Sequence, residues 1–563
     1  MVDQYRYNLV LLGGTGAKCG EIFLHMCANG YFAGDRVNIM YIDSDDQNGN
    51  ARNFKRLYEL YQECQNKYMI VQSSNEHFFK TKITLRVADP VPKNIEYFRE
   101  LIHSAGGRNV TSAARVLMGA LYSEEEMEMK IAEGFFAHPN VGAAVLAANI
   151  DNIMKEFLAD IEQDQKDMKK IRIFLLGSVF GGTGAASLPT IARYFKSKLI
   201  GDSDNKNIRK QVKIGGCMIL PYFSFTRNEK NAENNQIEGI SVDAGKFATQ
   251  TCSALEYYKY LDEKKDDRTF DDLYLLGHDG NDVRGIYALM GNEQRNLPHI
   301  VELYGAMSCV AFFESKAGRQ QYYFAAVGTD KISWSDIYKK NQGYFCFFVM
   351  MRFAIVMKSL VLEELFDYTK QNKLRETAAK IPWYYDFLNG KEESWDMEPQ
   401  KLYSKFEDIS RYCDEYIRWF AELNLADVNK LDSLESIEYS EGSDDLVGYL
   451  SMFTKEIILR QHYNNQISNG NARNQSYVAD NNYQDNLKYI RKNMQNLEKI
   501  QSYTDFKTEK ISMDEIWSRL CDIGLNMFVT DDDVFKNIAK SGDKSMDAGV
   551  RNLVNAVFCA CLI

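Results

Sequence analysis

Residues 171–195 read IRIFLLGSVFGGTGAASLPTIARYF, an apolar run that breaks at a glycine-rich turn and resumes as a helical pattern at Leu188, Ile191, Ala192 and Phe195. The order is strand, phosphate-sized loop, helix. Gly181, Gly182 and Gly184 carry no Cβ, so the backbone there is free to take positive φ and to approach a ligand with its N–H groups turned inward. Thr183 adds a hydroxyl, and the helix start adds a partial positive charge. This suits an anion, above all a di- or triphosphate, although a glycine turn between strand and helix is also a common packing device.

The same four residues recur at 13–16 as Gly13, Gly14, Thr15 and Gly16, followed by Ala17 and Lys18. A strand over 7–12 precedes them and an apolar helix through Ile22, Phe23, Leu24 and Met26 follows. A second strand over 37–42 ends at Asp43, Ser44 and Asp45. That is the start of a βαβ nucleotide-binding unit, with acidic residues where a ribose or a metal-bound water is met. An NAD site is the alternative reading. It needs a glycine where Cys19 stands, and Lys18 lacks the Ser or Thr that follows the P-loop lysine.

Residues 51–103 are mixed and polar and give no clear assignment. In FFAHPNVGAAVLAAN (135–149), Pro139 and Asn140 make a turn into a helix. Strands are expected over 213–220 and 272–276, a long helix over 244–261, and a strongly apolar helix over 300–313. The alternation predicts a parallel sheet with helices on both faces. Past Asp336 helical patterns dominate, at 344–365, 403–425 and 446–459, and an Asn-rich stretch over 462–485 reads as a loop.

The chain has 563 residues, which implies more than one domain, and with 45% hydrophobic residues and 8 prolines it is able to bury substantial cores. A net charge of −11 with no basic stripe argues against nucleic acid as a partner. The 11 cysteines lack a paired zinc spacing and read as free thiols in a reducing cytoplasm. No signal peptide or membrane span is expected, because the longest apolar run is interrupted by Arg352 and Lys358.

Four segments, in order, resemble the tubulin/FtsZ superfamily, and in particular its divergent bacterial tubulin-like proteins. LVLLGGTGAKCGE is similar to the first glycine-rich loop of FtsZ and NIMYIDSDD to the strand ending in N-T-D. FFAHPNVGAAVLAAN is similar to the loop G-A-N-P-E-V-G, and FLLGSVFGGTGAASLPTIA to the signature G-G-G-T-G-[ST]-G-A-A-P-V-I-A. The resemblance covers residues 5–230 well and fades beyond 340.

It implies GTP or GDP with Mg²⁺ in a Rossmann-type GTPase domain (1–298), then a central helix and connection (299–328) and a divergent, mostly helical C-terminal assembly or partner domain (329–563). Gly14, Thr15 and Gly16 would lie near the α- and β-phosphates, Gly181 to Gly184 would cradle the β- and γ-phosphates, and Asn140 would sense the γ-phosphate. Phe180, Ala185 and Ala186 depart from the signature. Thr226 stands where the family has its ribose glutamate, with Glu229 as a substitute; Asn296, His299 and Glu302 are candidates for reading the base. The hydrolytic loop of the next subunit is matched by residues 331–337, keeping Asp336 but having Ser333 at the first acidic position. On sequence alone, Asp336 reads equally as a helix N-cap. The implied activity is a GTPase that polymerises head to tail, with the C-terminal half available to a protein partner. The alternative is a nucleotide-gated scaffold with little or no hydrolysis.

Overall fold

A computed structural model describes residues 5–45, 48–69, 78–101, 112–131, 134–135, 138–201, 206–226, 247–262, 268–278, 283–286, 296–315, 321–327 and 404–423, with isolated positions between 346 and 357 and between 551 and 558. The first elements are β1 (Tyr5–Leu12), α1 (Gly13–Ala28), β2 (Arg36–Ile42), α2 (Gly49–Tyr68) and β3 (Lys82–Ala88). Next come α3 (Ser112–Leu121), α4 (Glu124–Met127), α5 (Pro139–Lys166), β4 (Lys170–Ser178), α6 (Gly182–Phe195) and α7 (Lys206–Gln211). They are followed by β5 (Val212–Ile219), β6 (Ser224–Thr226), α8 (Phe247–Asp262), β7 (Asp272–His278) and β8 (Val283–Ile286). The last are α9 (Ile300–Glu314), β9 (Gln321–Val327) and α10 (Glu407–Leu423).

Among the described residues, seven strands form one parallel sheet in the order β3-β2-β1-β4-β5-β7-β9. Strands β1, β2, β4 and β5 are almost continuously buried, as parallel strands covered on both faces must be. On one face Val10, Leu12, Ile173, Leu175 and Ile214 pack with Leu146 and Phe157 of α5 and Leu188 and Ile191 of α6. On the other, Phe174 meets Phe312 of α9, and Gly305 of α9 is close to Cys19 of α1. Each fully buried Leu, Ile or Phe contributes about 1.5–3 kcal/mol, so this double layer is the main stabilising feature of the sheet.

The topology decides where a ligand can sit. From β1 the sheet grows one way through β2 to β3, and from β4 it grows the other way to β9. Leu12 at the end of β1 lies opposite both Ile42 and Gly177. The crevice at the carboxyl ends of β1 and β4 is therefore a topological switch point, where open α/β sheets place their ligands.

The chain divides into two compact units: Met1–Phe23, Gly34–Arg56 and Lys82–Lys331, then Leu24–Ala33, Leu57–Thr81 and Ile332–Ile563. The sheet belongs to the first. In the second, α10 buries Tyr412, Tyr416 and Trp419 around the imidazole of His25. His25 Nδ1 lies 3.0 Å from the Tyr412 hydroxyl. Burial, reinforced by the Arg418 guanidinium, lowers the His25 pKa to about 3.

The polar stretch 51–103 holds α2 and β3, and the connection after the central helix contains β9, a seventh strand. The helix expected over 446–459 and the loop over 462–485 lie outside the described residues.

Candidate functional site

Two helices begin at the switch point in glycine-rich segments. Gly13 follows β1 directly at φ 69°, a left-handed conformation that a side chain would strain. The positive φ that glycine permits is not used at 181–184: Gly181 has φ −89° and ψ 173°, and Gly182 opens α6. Glycine is required there by packing. A Cβ on Gly184 would fall 2.5 Å from the Ser178 carbonyl oxygen, so α6 starts tight against the end of β4. The two glycine segments also meet each other, since a Cβ on Gly13 would lie 3.4 Å from Thr183 Cβ and 3.5 Å from the Gly184 nitrogen. No side chain caps α6. Its first-turn N–H groups lack intrahelical acceptors and carry the positive end of the helix dipole.

Asp43 ties this junction to β2. Thr183 Oγ1 donates to Asp43 Oδ1 at 3.0 Å, the Ser44 amide donates to the same oxygen at 3.0 Å, and the Tyr41 hydroxyl donates to Oδ2 at 2.9 Å. Burial pushes the Asp43 pKa up to about 6, against the lowering effect of the bonds from Tyr41 and Thr183. Asp45 adds a nearby negative charge that also raises it. Both Asp43 oxygens already accept hydrogen bonds, so this carboxylate is engaged in holding the junction together.

A buried polar network lies beside the first glycine segment. Lys18 Nζ donates to the Asn296 carbonyl at 2.7 Å and pairs with Glu302 Oε2 at 3.5 Å. Lys18 is 3% exposed and Glu302 1%. Glu302 also accepts from the Tyr222 hydroxyl and from the His299 amide, closing a capping box at the start of α9. Thr15 hydrogen-bonds Tyr222, which joins the glycine segment to the network. The lysine next to the first loop is therefore engaged as the buried counter-ion of α9.

Asn48 and Asn50, at the start of α2, complete the surroundings. A Cβ on Gly14 would meet Asn48 Nδ2 at 3.4 Å and Asn50 Nδ2 at 3.5 Å. Neither asparagine stands out in sequence. The signal that was available is Asn48 as a helix N-cap, since its Oδ1 accepts from the amides of Asn50 and Ala51.

Asn140 lies in the first turn of α5, exposed, and donates to Glu126 Oε1 at 2.7 Å. Although burial works the other way, the bonds that Glu126 accepts from Asn140, Ser123 and His138 hold its pKa below the usual value. Helix α5 meets α6 two residues later, where a Cβ on Gly142 would fall 2.8 Å from Ala186 Cβ. Ala186 fills the space that a signature glycine would leave open. Ala17 is buried within α1, the Ala185 carbonyl accepts from the Tyr258 hydroxyl at 2.7 Å, and Phe180 packs edge-on or tilted against Tyr222, Phe223 and Phe247. Thr226 ends the short strand β6, which pairs with β8. Glu229 and Asp336 lie outside the described residues.

No protein-family model matches the chain, and no curated protein does so either. Among the described residues no helix is long and apolar enough to cross a membrane, and no group of three or more His, Cys, Asp or Glu side chains is placed to hold a metal ion.

Proposed function

We propose that the chain binds GTP with Mg²⁺ in the crevice between the starts of α1 and α6, and assembles head to tail, with hydrolysis completed by the Asp336 loop of the adjacent subunit. The observation that carries the reading is the meeting of two glycine-rich helix starts at the sheet's switch point. Paired N-termini of this kind stabilise a polyphosphate through backbone N–H groups and dipoles. The choice of guanine, the filament and the role of Asp336 rest on the ordered resemblance of four segments to tubulin/FtsZ proteins. Bound Mg²⁺ would neutralise charge on the phosphates. The chain's own part is to position them against α6 through Gly181 to Gly184 and to hold Thr183 in place through Asp43.

Phosphate release from GTP, followed against protein concentration, tests this reading. Turnover per molecule is expected to rise with concentration and to disappear in Asp336→Ala; flat turnover in both proteins would contradict assembly-dependent hydrolysis. A second reading, a nucleotide-gated scaffold with little hydrolysis, is favoured by Ser333 at the first acidic position of that loop. Tight GTP binding without phosphate release under assembly conditions would select it.

A further inference from the structure

Asn50 is 5% exposed and sits in the first turn of α2. Its Oδ1 accepts the backbone N–H of Asn296 at 3.1 Å. Because an amide oxygen accepts and an amide nitrogen donates, that bond fixes which way the side chain faces. The NH₂ group is left turned toward Gly14, with Nδ2 3.5 Å from the position a Cβ would take there. Among the described residues Nδ2 has no hydrogen-bond acceptor. The residue is buried as a whole while this amide nitrogen keeps access to the opening at the start of α1, which leaves it able to donate to a ligand there. The orientation is enforced from behind as well: the Asn296 carbonyl accepts from Lys18, which is paired with Glu302. The chain thus uses a buried ion pair and a backbone peptide to aim one donor at the start of α1.

We propose that Asn50 is a direct ligand contact, its Nδ2 donating to an oxygen of the phosphate seated on the N-terminus of α1. The proposal rests on the nucleotide reading above and adds a phosphate-contacting side chain from α2. The chemistry of the position selects phosphate. Gly13 and Gly14 offer backbone N–H groups at the positive end of α1, so the atom that accepts from Asn50 belongs to an anion.

Asn50→Asp separates anchor from donor, since the aspartate keeps an oxygen for the Asn296 N–H and loses only the NH₂. Binding of GDP and of ADP to the full chain is measured by calorimetry for wild type, Asn50→Asp and Asn50→Ala, with thermal melts alongside. Asn50→Ala is expected to weaken GDP roughly tenfold, and Asn50→Asp roughly a hundredfold, because a carboxylate then faces the phosphate. The ratio of GDP to ADP affinity should stay at the wild-type value in both. Unchanged GDP affinity in Asn50→Asp, with wild type binding normally, would overturn this contact and leave the nucleotide reading standing. A changed GDP to ADP ratio would also overturn it, by assigning Asn50 to the base. Absence of any nucleotide binding by wild type would overturn both.

Discussion

Gly184 and Gly119 make opposite demands on a methyl group. A Cβ at Gly184 meets the Ser178 carbonyl oxygen at 2.5 Å, a backbone atom that cannot turn aside, whereas nothing lies within 4 Å of one at Gly119. Gly184→Ala is expected to destabilise by about 1–3 kcal/mol through overpacking, and Gly119→Ala, within α3, to stabilise by about 0.5–1 kcal/mol. Denaturant unfolding of the two variants checks both signs. Asp43 gives a pH test. Its carboxyl titrates near 6 in the folded protein and near 3.8 in the unfolded chain, so between these values the folded state holds the extra proton. Stability then falls as pH rises from about 4 to about 6, and at higher pH the buried charge costs on the order of 3 kcal/mol. Asp43→Asn should flatten that decline and unfold at higher denaturant at pH 8. The glycines at 181–184 were legible as a special turn; of the two segments only Gly13 uses the positive φ that glycine permits, while Gly184 is needed for close packing against Ser178. Asn50 was not legible, because its meaning depends on Asn296, 246 residues away.

At the scale of elements, α1 and α9 are joined by the Lys18–Glu302 pair. Lys18→Met leaves a buried carboxylate without its cation and is expected to cost about 3–5 kcal/mol. The double variant Lys18→Met/Glu302→Gln removes both charges, and a double-mutant cycle by chemical unfolding should give a coupling energy of about 1–3 kcal/mol. A coupling near zero would mean that the pair does not join the two helices. The strands that sequence revealed, β1, β2, β4, β5 and β7, are interior to the sheet and carry apolar residues on both faces. Those it hid are at the edges. Strand β3 reads KITLRVA, with most of its residues only partly buried, so neither an apolar run nor a strict alternation marks it. Helix α2 does carry a helical repeat, with Phe54, Leu57, Tyr61, Cys64 and Tyr68 all buried at spacings of three and four. Tyrosine and cysteine on that stripe disguised it among Lys, Arg, Glu and Gln.

For the molecule as a whole, the two units titrate differently. His25 titrates near 3 when folded and near 6.5 when unfolded, so the second unit is fully stabilised above about 6.5 and loses that contribution as pH falls toward 3. Near-UV circular dichroism should show the aromatic cluster around Trp419 melting on acidification, and His25→Phe should lower the pH at which it melts. The parallel α/β architecture followed from the alternation of elements, and the position of the candidate site followed from its two glycine segments, but their convergence needed the strand order. Only when β1 and β4 are neighbours do residues 13–16 and 181–184 form one crevice. Gly14 offers the most direct test of that crevice as a nucleotide site. Its φ is outside the left-handed region and a Cβ there makes ordinary contacts at 3.4 Å and beyond, so a larger side chain is compatible with the backbone while filling the space in front of Asn48 and Asn50. The decisive measurement is equilibrium titration of the full chain with a fluorescent GTP analogue and Mg²⁺, comparing wild type with Gly14→Leu at matched far-UV circular dichroism. Saturable wild-type binding that GTP and GDP displace, weakened at least about a hundredfold in Gly14→Leu, is the expected result; equal binding by both proteins, or none by wild type, would contradict the account.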